Sequence, residues 1–188
     1  MYYAAVSRCP SFGGSVKNYD EAKAITLPGL LNVFQISNGV AVVADSTWHA
    51  FNGRDALNIQ WDLGPNAKIN SRGIHNELVK KSKTEGYEFE SRGDVSKDIE
   101  GEKILEAVYE VPFITHAPME PMNCVAKYEN GKAELWVPTQ NPQNARSEVA
   151  KALGISEDNV TVHVTLMGGG FGRRLISDFA VEAAEISK

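Results

Sequence analysis

Two periodicities meet in residues 159–188. Val160, Val162, Val164 and Leu166 alternate with Thr161, His163 and Thr165, a period of two that predicts a strand with one buried face. Beyond Gly168-Gly169-Gly170-Phe171-Gly172 the spacing becomes helical. Leu175, Phe179, Ala183 and Ile186 follow one another at four, four and three residues, with Ile176 and Ala180 beside them. That spacing predicts an amphipathic helix beginning near Arg173 and Arg174. The glycines therefore join a strand to a helix, where backbone N–H groups can approach a ligand at the positive end of a helix dipole.

The same reading places strands at residues 2–7, 31–36, 40–44 and 58–62. Asp20 is expected to cap a short helix through Ile25, ended by Leu27-Pro28-Gly29, and Ser46 to cap a second helix carrying Trp48, Phe51 and Leu57 with Gly53 inside it. Ser37-Asn38-Gly39 reads as a hairpin turn because Asn and Gly tolerate positive φ. The order β-α-β-β-α-β suggests a small α+β sandwich of ferredoxin-like type. Residues 63–103 are polar, a connector with one surface helix between Ser71 and Lys83 whose charges read as a solvated face. A strand is expected at 104–111, broken by Pro112, then a hairpin of 122–129 and 132–137 around Asn130-Gly131. Pro142 suits the first turn of a helix carrying Ala145, Val149 and Leu153 and closed by Gly154.

Composition narrows the class. With 188 residues, 43% hydrophobic and 23% charged, the chain has the make-up of a soluble globular protein of one large or two small domains. A net charge of -5 argues against a nucleic-acid or anionic-membrane surface, both of which reward clustered Lys and Arg. No apolar run approaches the roughly 20 residues of a membrane span, and Met1-Tyr2-Tyr3 lacks the basic start of a signal peptide. Cys9 and Cys124 match no metal spacing and read as buried free thiols; no metal ligand set is expected.

Three places carry candidate chemistry. The glycine run fits neither common nucleotide motif: Arg173 stands where Gly-x-Gly-x-x-Gly needs its last glycine, and no Gly-Lys-Ser/Thr follows. It is either a tight-packing turn or a cradle, and Phe171 between glycines favours a site that must place a ring and several backbone donors. Residues 116–121, His-Ala-Pro-Met-Glu-Pro, hold two prolines in four positions, so they form a fixed loop presenting an imidazole and a carboxylate. Gln140 lies at a strand end facing a helix start, a place where ligand-binding residues collect, although a lone Gln in a loop is more often a cap or turn residue.

His116-Ala-Pro-Met-Glu-Pro121, Trp136-Val-Pro-Thr-Gln-Asn-Pro142 and Met167-Gly-Gly-Gly-Phe-Gly-Arg-Arg174 with Asp178, in that order, resemble the large, molybdopterin-binding subunit of the xanthine dehydrogenase and aldehyde oxidoreductase family. The double arginine and Met-Glu-Pro are similar to its isoquinoline 1-oxidoreductase branch. Leu27-Pro28-Gly29, residues 39–44, Trp48 and Trp61-Asp62 resemble the small α/β hammerhead domain of that family, which displaces the ferredoxin-like expectation. The resemblance implies an α+β chain: a hammerhead-like domain over 1–62 lacking its first strand, a connector over 63–103, and the start of a molybdopterin-binding domain over 104–188. It implies a molybdenum hydroxylase that oxidises an N-heterocycle or aldehyde with oxygen from water. Molybdopterin, in a cytosine dinucleotide form, would be its cofactor, and a small partner protein would carry iron–sulfur clusters. Gln140, Gly169, Gly170, Phe171, Gly172 and Arg173 are the implied cofactor-binding residues, with Gln140 bonding an oxygen ligand of molybdenum. Glu120 and His116 either border the substrate funnel or, for Glu120, accept bonds from loop N–H groups. The glutamate that the family uses as base has no counterpart here, so a fragment inactive by itself is expected. The alternative is a non-catalytic binding or scaffold domain that keeps the glycine loop.

Overall fold

The computed structural model describes residues 1–94, 97 and 99–188. Val95, Ser96 and Asp98 of the expected connector lie outside the described residues. The chain forms two compact units, one of Met1–Ala67 with His116–Lys188 and one of Lys68–Thr115.

In the first unit, β1 (Tyr3–Arg8), β3 (Leu30–Ile36) and β4 (Gly39–Ala44) make an antiparallel sheet in the order β1-β4-β3. Central β4 reads Gly-Val-Ala-Val-Val-Ala and is apolar without alternation because it is covered on both faces. A separate antiparallel ribbon pairs β2 (Ser15–Asp20) with β5 (Asn58–Asp62). That ribbon excludes the ferredoxin-like sheet. It also corrects the expected helix after Asp20, which ends β2 and whose carboxylate accepts the Ala22 N–H at 2.9 Å in a turn. β2 went unread because Ser-Val-Lys-Asn-Tyr-Asp is polar and half-exposed.

Helix α1 (Thr47–Ala56) begins at Ser46, whose hydroxyl accepts the His49 N–H at 3.2 Å. It buries Ala50 and Gly53, while Trp48 is 70% and Phe51 44% exposed, so the aromatics expected to anchor the helix face outward. Gly53 is required by packing: a Cβ there would lie 2.7 Å from Val42 Cγ1 and 2.8 Å from Leu30 Cδ1. The two Asn-Gly turns differ. Asn130 and Gly131 have φ of 51° and 76°, the pair of positive values a type I′ turn demands. Asn38 and Gly39 do not, and Gly39 is small because a Cβ would stand 2.1 Å from the Ser7 carbonyl of neighbouring β1.

The second sheet, in order β6-β7-β8, pairs β6 (Val125–Glu129) antiparallel with β7 (Lys132–Val137), and β7 parallel with β8 (Val160–Val164). Helix α2 (Ser71–Lys81) belongs to the other unit, is capped by Asn70 and buries nothing, a surface helix as its polar sequence predicts. The parallel crossover is α3 (Pro142–Leu153), with Pro142 in its first turn and Gly154 at φ 69° closing it. Leu135, Val137, Val149, Leu153 and Val160 pack with Phe179, Ala180 and Ala184 of α4 (Asp178–Ser187).

Three expectations in this region are corrected. The final helix starts at Asp178, after an Arg173–Leu175 3-10 turn and extended Ile176, because the Arg174 carbonyl accepts the Gln140 N–H and the Thr139 hydroxyl instead of continuing a helix. Leu175 and Ile176 are consequently exposed. Residues 104–111 form no strand; Leu105, Val108 and Tyr109 are over 90% exposed, and among the described residues no strand pairs with them. On β8 only Val160 is fully buried, Val164 and Leu166 being exposed. Cys9 and Cys124 are free and half-buried, and burial pushes the Cys124 thiol up to about 12.

Helix α4 ties the two sheets together. Glu182, buried on its inner face, accepts from Nε and Nη2 of Arg8 at the end of β1 and from the Asn38 amide at 2.6 Å. One turn on, Glu185 accepts the Ser37 N–H and hydroxyl at 3.2 and 2.8 Å.

Gly53→Ala sets helix propensity against packing. Propensity favours alanine by about 1 kcal/mol, whereas overpacking against stiff, buried Val42 costs about 1–3 kcal/mol. The variant is expected to unfold at a lower temperature than the parent protein in a calorimetric scan; a raised midpoint would mean that the contact with Leu30 and Val42 relaxes freely.

Candidate functional site

The site is assembled around one buried cation. Arg174, with no solvent exposure, sends its Nε to the Gly169 carbonyl at 2.7 Å, Nη1 to the Pro138 carbonyl at 3.4 Å, and Nη2 to the Glu120 carbonyl at 3.0 Å and carboxylate at 2.6 Å. Its backbone is equally engaged: the N–H donates to Gln140 Oε1 at 3.3 Å and the carbonyl accepts the Gln140 N–H at 3.1 Å. One residue thereby joins the His116–Pro121 loop, the end of β7 and the glycine loop. Such a charge is tolerable inside only because every acceptor around it is supplied.

The loop from His116 lies alongside the glycine loop with alternate residues facing it. Glu120 is bonded to Gly168 in both directions, its N–H to the Gly168 carbonyl at 3.1 Å and its carboxylate to the Gly168 N–H at 3.1 Å. A Cβ on Gly169 would stand 3.5 Å from Pro118 Cβ, and one on Gly172 3.8 Å from His116 Nε2. Ala117 and Met119, between them, are exposed, and Ala117 holds a φ of 40°. The Gly168 N–H, aided by the Asn123 side chain and the Arg174 guanidinium, holds the Glu120 carboxyl below its ordinary value against the opposing effect of desolvation.

Gln140 stands where β7 runs out. Its side-chain oxygen accepts two backbone N–H groups, Gly172 at 3.1 Å and Arg174 at 3.3 Å, so the amide orientation is fixed and its NH2 group is the end left to act. Gly170 must be glycine, since a Cβ would fall 2.5 Å from Gln140 Oε1. Gly169, Phe171 and Gly172 have φ of 99°, 51° and 94°; the Phe171 value is costly for a residue with a Cβ and is held by the surrounding bonds. Among the described residues no acceptor engages the N–H groups of Gly169, Gly170 and Phe171, and the Phe171 ring is 74% exposed. Arg173 turns away to form a two-point pair with Asp178 at 3.0 and 2.7 Å. No group of His, Cys, Asp and Glu among the described residues could hold a metal ion directly.

The arrangement brings together Gln140, the glycines, Phe171, His116 and Glu120. Glu120 is bound into the scaffold, and Arg173 braces α4. Sequence reasoning overlooked Arg174 as the organiser, because nothing local distinguishes which of two adjacent arginines is buried.

An outward carboxamide donor and unpaired loop N–H groups thus stand together on the strand-loop-turn scaffold of an α+β domain. The family can be stated: the profile of the molybdopterin cofactor-binding domain matches residues 75–186, and the chain belongs to that family. The chain is 32% identical over 200 residues to the beta subunit of isoquinoline 1-oxidoreductase from Brevundimonas diminuta, an alignment covering 99% of this chain and 25% of that protein. It is 28% identical to the membrane-bound aldehyde dehydrogenase [pyrroloquinoline-quinone] of Gluconacetobacter polyoxogenes, covering 100% of this chain and 26% of that protein. The chain thus spans about a quarter of the length of these relatives. Among solved structures, quinoline 2-oxidoreductase from Pseudomonas putida 86 superposes with a TM-score of 0.69 at 18% identity, covering all of this chain and 30% of that one, which shows the shared fold. No helix among the described residues is long and apolar enough to cross a membrane.

The donor set fits molybdopterin. Neutral N–H groups suit oxygen and phosphate acceptors and leave a metal's coordination undisturbed, and the carboxylates paired to the loop, Glu120 and Asp178, are neutralised by Arg174 and Arg173.

Glu120→Gln removes the charge and keeps the shape. Because the folded-state carboxyl lies below its ordinary value, its stabilisation is complete above the unfolded value near 4.5 and is lost as pH falls through the depressed one. The variant is expected to be less stable by about 1–3 kcal/mol at pH 7, with a smaller difference at an acid pH below the ordinary carboxylate range. Urea unfolding at the two pH values measures it, and an equal deficit at both would show that the ion pair contributes nothing.

Proposed function

We propose that the protein carrying this chain is a molybdenum hydroxylase oxidising an N-heterocycle or an aldehyde with oxygen taken from water, and that this chain supplies one wall of its cofactor site. The observation that carries the reading is the Gln140 amide, whose oxygen is locked by the Gly172 and Arg174 N–H groups so that its NH2 faces outward as a neutral donor. The names of the two relatives, an isoquinoline oxidoreductase and an aldehyde dehydrogenase, support the substrate classes.

Bound here in a dinucleotide form such as the cytosine dinucleotide, molybdopterin would supply two-electron oxidation at a metal. Gln140 Nε2 donates to an oxygen of the bound group, and the Gly169, Gly170 and Phe171 N–H groups offer three further donors in fixed directions. The Phe171 ring walls the site against water. Arg173, through Asp178, holds the loop's exit against α4. Glu120 is already engaged by the Gly168 N–H and Arg174, so it is not free to serve as the base that activates water. Residues 1–62 form the hammerhead-like domain, 63–103 the connector and 104–188 the beginning of the cofactor domain. A small iron–sulfur partner takes the electrons, a role consistent with a relative that is itself named as the beta component of a larger enzyme.

In the protein carrying this chain, Gln140→Ala is expected to lower kcat on isoquinoline or an aldehyde by about a hundred- to a thousandfold with a much smaller change in KM, the usual effect of losing one preorganised donor. Less than a threefold change would return Gln140 to the role of a turn residue. Gly172→Val places a branched side chain at φ 94° and is expected to abolish molybdenum loading, read by metal analysis. The 188 residues expressed alone are expected to hold no molybdenum; stoichiometric metal with turnover would overturn the reading of this chain as one wall of a larger site.

A further inference from the structure

We propose that His116 is a substrate-positioning residue, donating a hydrogen bond from its imidazole to the acceptor atom next to the carbon that is oxidised; this rests on the functional reading above. Four observations place it. His116 stands at the start of the loop whose alternate residues face the glycine loop, opposite Gly172, as Pro118 stands opposite Gly169 and Glu120 opposite Gly168. The imidazole's Nε2 and Cδ2 edge is turned to Gly172, a Cβ there lying 3.8 and 3.9 Å from those atoms. Among the described residues no hydrogen bond or ion pair engages the ring, which is exposed, whereas the other polar side chains of this region, Glu120, Gln140, Arg173 and Arg174, are all bonded within the protein. Its position is also rigid: Pro118 and Pro121 stiffen the loop, and Glu120 fastens it to Gly168 and Arg174.

Gly172 is thus flanked on two sides, its N–H facing the Gln140 oxygen and its Cα face turned to His116. Gln140 and the loop N–H groups serve the cofactor. A second molecule lying against Gly172 beyond them meets the imidazole. The two substrate classes share one feature that such a donor can use: in an N-heterocycle the oxidised carbon is bonded to a ring nitrogen, in an aldehyde to a carbonyl oxygen, and both atoms carry an acceptor lone pair. An imidazole N–H can donate to either. A donor there orients the ring or carbonyl and has no part in holding the cofactor.

The test uses the protein carrying this chain, with His116→Phe, which keeps a ring and loses the donor, and His116→Gln, which restores one. Equilibrium binding of isoquinoline is read by calorimetry together with kcat, KM and molybdenum content. Loss of one hydrogen bond predicts isoquinoline binding weaker and KM higher by roughly three- to tenfold in His116→Phe, with kcat changed by less than about threefold, molybdenum content unchanged, and partial recovery in His116→Gln. Equal affinity in parent and His116→Phe overturns the proposal, whether or not the protein turns over. Loss of molybdenum in His116→Phe also overturns it, by moving the residue to the cofactor's side, as does a parent protein that binds no isoquinoline and no aldehyde. A parent protein that binds isoquinoline with a His116-dependent affinity but holds no molybdenum would instead sink the hydroxylase reading and leave the positioning role standing.

Discussion

A guanidinium with no exposure to water, Arg174, sets the terms for the region described here. Taking such a charge out of solvent costs several kcal/mol unless its donors are met, and meeting them draws in Gly169, Pro138 and Glu120 from three parts of the chain. The same residue's main chain then anchors Gln140 at both its backbone and its side chain. Gln140, the glycine loop and the scaffold are therefore one network, and the orientation of the Gln140 amide follows from the burial of an arginine.

That network also explains where backbone strain is held. Ala117 and Phe171 are non-glycine residues at positive φ, one in each of the two facing loops. Conformations of this kind cost about 1–3 kcal/mol each and persist only where neighbours over-determine them. Here Glu120 and Gly168 are bonded in both directions close to Ala117, while the Arg173 N–H closes the Phe171 turn onto the Gly170 carbonyl and the Gly172 N–H is held by Gln140. The reward is placement: an aromatic ring set outward among glycines, and an imidazole turned to Gly172, the roomiest glycine of its loop.

Much of this was legible because it rests on local rules. Asn130-Gly131, Pro142 with Gly154, and Ser46 each obey a dihedral or capping requirement carried by one or two residues, and the chain folds there as read. The motif order His116 to Pro121, Gln140, Gly168 to Arg174 pointed to the cofactor because it is a pattern in sequence. What escaped reading depends on distant atoms. The helix start slipped from Arg173 to Asp178 because Gln140 and Thr139 claim the Arg174 carbonyl. β2 is half-exposed and polar, and only its ribbon partner β5 makes it a strand. Gly53, which looks like a weak helix residue, is a contact with Leu30 and Val42. Residues 104–111 carry strand-like composition but have no strand beside them among the described residues, and propensity without a ladder leaves a chain extended and solvated.

The clasp of Glu182 on Arg8 has a consequence in time. The two residues are 174 positions apart, and a chain made at about 5–20 residues per second presents Arg8 roughly 10 to 35 seconds before its partner exists. Until then the turn at Ser37 and Asn38 and the end of β1 have their polar groups toward water, and the small sheet can form only as a piece of its own. Helix α4, which later closes over it through Glu182 and Glu185, is also the helix to which Arg173 fastens the glycine loop. During synthesis, then, one late helix completes both the clasp and the cradle, and a ribosome pausing anywhere before Asp178 would leave the Gln140 strand waiting beside a loop not yet pinned at its far end.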